Sequence, residues 1–139
     1  MYCALDVAKY IVTKHDFISN LGLQKLLYFI QAEFLISTGN PCFDDPIEAW
    51  AFGPVVPAVY EKYKIYGGGS IYDFEKDNDT KYLILNNDKK IIDDVVNQLS
   101  PYPAAVLTDV TLHQTPWIQS YQKGKQNIIS NKLIKEFFS

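Results

Sequence analysis

The chain has 139 residues, 47% of them hydrophobic and 14% aromatic, which suits a single domain (residues 1–139) with a packed core and is unlike a disordered chain. Its formal net charge is −3 and all 13 basic residues are lysine; without arginine for forked contacts to phosphate and guanine, nucleic-acid binding by this chain alone is not expected. No run of about 18 apolar residues occurs, and the start, MYCALDVAKYIV, lacks the basic and small-residue features of a signal peptide, so a cytoplasmic protein without membrane contact is expected.

Residues 3–14 place Ala4, Val7, Ala8 and Ile11 on one helical face and Asp6, Lys9 and Thr13 on the other, which predicts an amphipathic surface helix. The next segment, NLGLQKLLYFIQAEFLISTG, differs. Asn20 is placed to cap its start and Gly39 to end it in a left-handed turn. Leu23, Leu26, Leu27, Ile30 and Phe34 make one apolar stripe, and Phe29, Ala32 and Ile36 a second on nearly the opposite side. A helix apolar on both sides is buried on both sides, so residues 21–38 are predicted as the central helix. Gln24, Tyr28 and Gln31 form a polar strip between the stripes and need partners inside the fold. Lys25 is expected to extend its ammonium past apolar neighbours to water.

Asp45, Pro46 and Glu48 predict a brief helix start, interrupted by Gly53-Pro54. Pro57 opens a new helix carrying Val59, Tyr60, Tyr63 and Tyr66, which Gly67, Gly68 and Gly69 stop. Residues 70–86 read either as a small β-hairpin or as an irregular excursion. Asn87 is placed to cap a helix with Ile91, Ile92, Val95, Val96 and Leu99 on one face, ended by Pro101 and Pro103. Residues 104–112 predict a short helix, Thr115 followed by Pro116 another, and Ser130 caps a last one over NKLIKEFF. Ile129 and Ile134 are spaced as a hydrophobic staple. The predicted class is all-α: a compact bundle of about six helices around the 21–38 helix, with the 70–86 hairpin as its one candidate β element.

Few residues suggest chemistry. Cys3 and Cys42 are expected as reduced thiols. Together with His15 and His113 they are scattered singly rather than at metal-ligand spacing, so neither metal nor cofactor is expected. Cys42 with His113 would make a nucleophile–base pair only if the fold joined them. Asp44, Asp45 and Glu48 are a candidate carboxylate group, although a helix start accounts for Asp45 and Glu48. His113 reads as a structural or surface histidine. No catalytic set stands out, so an enzyme is not expected.

The remaining feature is WAFGPVVPAVY, residues 50–60. It reads both as a stiff structural turn and as a rigid corner for another protein. Prolines reduce the entropy lost on binding, and Trp and Tyr are favoured anchors. The candidate contact residues are Trp50, Phe52, Gly53, Pro54, Val55, Pro57 and Tyr60.

The stretch from Leu23 to Gly67 resembles the Panacea domain, the SocA-like antitoxin-associated family that includes phage GepA-type proteins. A helical Leu-Gln-Lys-Leu-x-Tyr pattern is matched by Leu23, Gln24, Lys25, Leu26 and Tyr28. A second pattern is matched by Glu48, Ala49, Trp50, Gly53, Pro54, Val55, Pro57 and Tyr60, and a late Pro-Trp by Pro116 and Trp117. The family usually has Thr-His shortly before Pro-Trp; TLHQTPW has Leu112 there and His113 one place later, so no family role is carried onto His113.

The resemblance implies an α-helical antitoxin that neutralises a cognate toxin protein by direct contact, with delivery to a AAA+ protease as one mode in the family. The alternatives are a phage accessory protein that binds a host factor or protease without a toxin, and a Cys/His or carboxylate hydrolase.

Overall fold

The computed structural model describes residues 1–72 and 84–139. Among them are seven α-helices and a small sheet. The helices are α1 (Ala4–Lys14), α2 (Asn20–Thr38), α3 (Pro57–Tyr63), α4 (Asn86–Leu99), α5 (Ala104–Leu112), α6 (Thr115–Ser120) and α7 (Asn131–Phe138). A 3₁₀ turn, Lys64–Tyr66, extends α3. The strands are β1 (Ile47–Trp50), β2 (Gly53–Val55) and β3 (Ile128–Ile129), in the order β2-β1-β3 with antiparallel pairing.

The 19-residue α2 is the axis of the fold. Its two apolar stripes reach α4, α5, α7, α3 and β2, which removes much of their apolar area from water, although in the second stripe Phe29 is half-buried and Ile36 is exposed. Leu23, Leu27 and Ile30 have no exposed surface. Ser19, rather than Asn20, is its N-cap, accepting from the Gly22 N–H at 3.1 Å. Gly39 ends it with φ +78°, the left-handed cap that its lack of a side chain permits.

Other helix starts match or shift by one or two residues. Pro57 lies in the first turn of α3, and the Ser130 hydroxyl caps α7 by accepting from the Leu133 N–H at 3.1 Å. Ile129 and Ile134 are both buried. The cap of α4 is Leu85 rather than Asn87, and that of α6 is Gln114 rather than Thr115; neither supplies a side-chain cap bond.

The segment read as a helix start at Asp45–Glu48 leads instead into β1, which begins at Ile47. Asp45 caps a helix, but a distant one: its Oδ1 accepts from the Ala4 N–H at the head of α1, at 2.7 Å. Ile47–Trp50 then pairs on both sides, Ile47 with Ile129 and Ala49 with Pro54. The β1–β2 connection is the two-residue loop Ala51-Phe52, a hairpin length. Pro54 is tolerated because β2 is an edge strand. The hairpin considered at 70–86 falls largely on residues 73–83, outside the described residues. Among the described residues, no helix is long and apolar enough to cross a membrane.

Candidate functional site

The polar strip of α2 finds its partners in the backbone of the segment that follows it. Gln24 Oε1 accepts from the Val56 N–H at 2.9 Å, and Gln24 Nε2 donates to Asn20 Oδ1 at 3.0 Å. Asn20 Nδ2 in turn donates to the Tyr60 carbonyl at 3.1 Å. About two turns from the other end, Gln31 Oε1 accepts from the Cys42 N–H at 2.8 Å and the Phe43 N–H at 3.2 Å, and Gln31 Nε2 donates to the Phe43 carbonyl at 2.9 Å. The Tyr28 hydroxyl donates to Gln114 Oε1 at 2.8 Å, and burial raises its pKa. Buried amides so fully used fix the chain they bond, since each lost partner would leave a polar group stranded in the core.

Lys25 departs from expectation. Its side chain does not extend to water but has no exposed surface, and Nζ donates to the Pro54 carbonyl at 2.9 Å. Burial lowers its pKa from the ordinary 10.5 to about 7. The reason is the hairpin that folds over it. Gly53 takes φ +104°, and a Cβ there would stand 2.8 Å from Thr111 Oγ1 and 3.1 Å from Lys25 Cε. Only glycine allows the hairpin to approach α2 and α5 this closely.

The outer side of the same hairpin is aromatic. Trp50 meets Phe52 edge-on at 5.8 Å between ring centroids and Tyr60 at 5.1 Å. Trp50 Nε1 donates to Glu48 Oε1 at 2.9 Å, while the Trp50 carbonyl accepts from Trp117 Nε1 of α6 at 2.8 Å. Trp117 is itself stacked on Tyr121. The corner is therefore braced from β1, α3 and α6.

Of the residues expected to contact a partner, Gly53, Pro54 and Val55 are buried and shape the corner from within. Trp50, Pro57 and Tyr60 are half-buried, and Phe52 and Ala51 are exposed. Leu23, Gln24, Lys25, Leu26, Tyr28, Ala49 and Pro116 are buried, and Glu48 and Trp117 half-buried. The burial of Lys25 is not legible in the sequence, because the same spacing suits a surface lysine; only the hairpin packed over it tells them apart.

The residues considered for chemistry are dispersed. Cys42 lies sealed in the apolar core, where burial pushes its thiol up to about 12. His113 is exposed at the end of α5, its Nδ1 2.8 Å from the Asp109 carbonyl, and no hydrogen bond joins it to Cys42. Asp45 caps α1, Glu48 holds Trp50 and Asp44 is exposed, so the three carboxylates serve separate places. Among the described residues, no group of three His, Cys, Asp or Glu side chains is placed to hold a metal ion.

Comparison with known proteins agrees with the motif residues gathered at this corner. The family described as "Antitoxin SocA-like, Panacea domain" matches residues 23–118, more than half of the chain. A 50-residue stretch is 52% identical to "Antitoxin SocA" of Caulobacter vibrioides (strain NA1000 / CB15N), covering 36% of this chain and 27% of that protein. The matched stretch thus spans about a quarter of that curated relative's length. No solved structure matches the chain. With all but the first three residues of its central helix, its glycine–proline hairpin and its late Pro-Trp inside the matched region, the chain belongs to the SocA-like antitoxin family of Panacea domains.

Proposed function

We propose that this protein is an antitoxin that neutralises a protein toxin by direct contact, using the corner formed by Trp50, Phe52, Pro57 and Tyr60. The observation that carries the reading is the division of the hairpin into two sides. Its inner side is used up by bonds to Gln24, Lys25 and Trp117, whereas its outer side leaves an aromatic trio at the surface. Aromatic anchors held in one conformation lose little entropy on binding and are typical centres of interface energy. The formal charge of −3 adds attraction toward a basic partner. The family also supports a cytoplasmic setting and, as a further mode, delivery of the bound toxin to a AAA+ protease.

The test is co-expression with the product of the adjacent reading frame. Growth is expected to be rescued by the wild type and not by a folded Phe52→Ala, Trp50→Ala double variant. Toxicity unrelieved by the folded wild-type protein would overturn the proposal. Rescue that disappears only when a AAA+ protease is deleted would identify the adaptor mode.

A further inference from the structure

Lys25 has more hydrogen-bonding capacity than the fold uses. An ammonium carries three N–H donors. Here it is wholly buried and has, among the described residues, one hydrogen-bond acceptor, the Pro54 carbonyl. Among the described residues, no carboxylate lies within ion-pair distance of it. The hairpin presents Phe52 and the Pro54 carbonyl to Nζ, and α5 brings Thr111 beside Gly53. The Thr111 hydroxyl donates to the Thr108 carbonyl. Burial lowers the lysine's pKa.

The cover over this cation is thin. The Phe52 ring centre lies 5.6 Å from Nζ, a cation–π distance, yet Phe52 is 37% exposed and belongs to the two-residue hairpin loop. Phe52 is thus a partly exposed side chain lying directly over the ammonium. A buried cation without a counter-ion is costly, and an arriving carboxylate removes that cost by pairing with it in a site shielded from water. A neutral amide or hydroxyl would not do so.

We propose that Lys25 is the floor of a carboxylate-binding site: an Asp or Glu side chain of the protein partner displaces the Phe52 ring and pairs with the ammonium, with Trp50 and Tyr60 as its apolar rim. This rests on the corner being the partner-contacting surface, and it adds the chemistry that the partner must present. The acidic chain repels carboxylates in general, so the one that reaches Lys25 is selected by geometry.

The probe is sodium acetate, with sodium chloride of equal ionic strength as control, followed by NMR of lysine side chains in the full-length protein. Lys25 is expected to respond alone among the 13 lysines, its titration midpoint rising by about one to three units in acetate. Phe52→Ala should bind acetate severalfold more tightly, because no ring need move. Lys25→Met, with an apolar chain of similar length, should fold and show no response. Equal Lys25 midpoints in acetate and chloride, for both the wild type and Phe52→Ala, overturn the site. Acetate binding combined with undiminished toxin rescue by Lys25→Met overturns the partner's side chain as its source. Failure of the wild type to rescue would instead sink the antitoxin reading and leave the acetate result standing.

Discussion

Lys25 Nζ and the Pro54 carbonyl oxygen lie 2.9 Å apart although 29 residues separate them in the chain. This bond joins the central helix to the edge strand of the hairpin and places a titratable group beneath the aromatic corner. Its consequence for pH follows from linkage. Lys25 protonates near pH 7 in the folded protein and near its ordinary 10.5 when unfolded. Between those values the unfolded chain holds more protons, so stability rises with pH. The two units between pH 7 and pH 9 correspond to roughly 2–3 kcal/mol at about 1.4 kcal/mol per unit. Urea unfolding at pH 6 and pH 9 is expected to show that gain in the wild type and to lose it in Lys25→Met.

Gln24 is expected to be costly to replace. Gln24→Leu keeps the approximate volume but strands the Val56 N–H and one acceptor on Asn20. Leaving buried groups unsatisfied costs about 1–3 kcal/mol each, so a loss of at least about 2 kcal/mol is expected in denaturant unfolding. A loss under about 0.5 kcal/mol would show that water takes over these bonds.

Gly53→Ala tests the close approach of the hairpin. The new methyl would need φ +104° and would meet Thr111 Oγ1 at 2.8 Å. Strain and clash together should cost about 2–4 kcal/mol and lower the thermal midpoint by roughly 10 °C or more. Gly67→Ala, also at positive φ but with open space around its Cβ, should cost about 1 kcal/mol.

Phe52→Ala separates display from stability. A partly exposed loop side chain contributes little to the core, so unfolding should change by less than about 1 kcal/mol. Binding to the toxin should weaken by at least about 2 kcal/mol, roughly thirtyfold, because the displaced ring packs on the partner as an anchor, even though free acetate reaches Lys25 more easily. Calorimetric titration of the purified pair measures the second and urea unfolding the first.

Thiol labelling tests the non-catalytic reading of Cys42. Cys3 is exposed, whereas Cys42 is buried with its thiol held neutral far above physiological pH. One equivalent of an alkylating reagent is expected to react with the native protein, at Cys3, and two in denaturant. Rapid native labelling of Cys42 would contradict its burial.

Helical periodicity determined most of the architecture in advance. The two stripes of α2, the strip of Gln24, Tyr28 and Gln31, the Gly39 and Ser130 caps and the Pro57 start all depend on neighbours within a turn or two, so they are written locally. The motif residues likewise pointed to the family before any contact was known. Tertiary structure alone decided what Asp45–Trp50 and Lys25 become. The stretch that suits a helix start runs into a strand instead, because Ile129 and Pro54 pair with Ile47 and Ala49 while Asp45 turns to cap α1. A lysine that could have reached water is sealed in because Gly53 lets a hairpin lie over it. Short-range preferences are worth at most about 1 kcal/mol per residue, and burial of a whole hairpin against the central helix outweighs them.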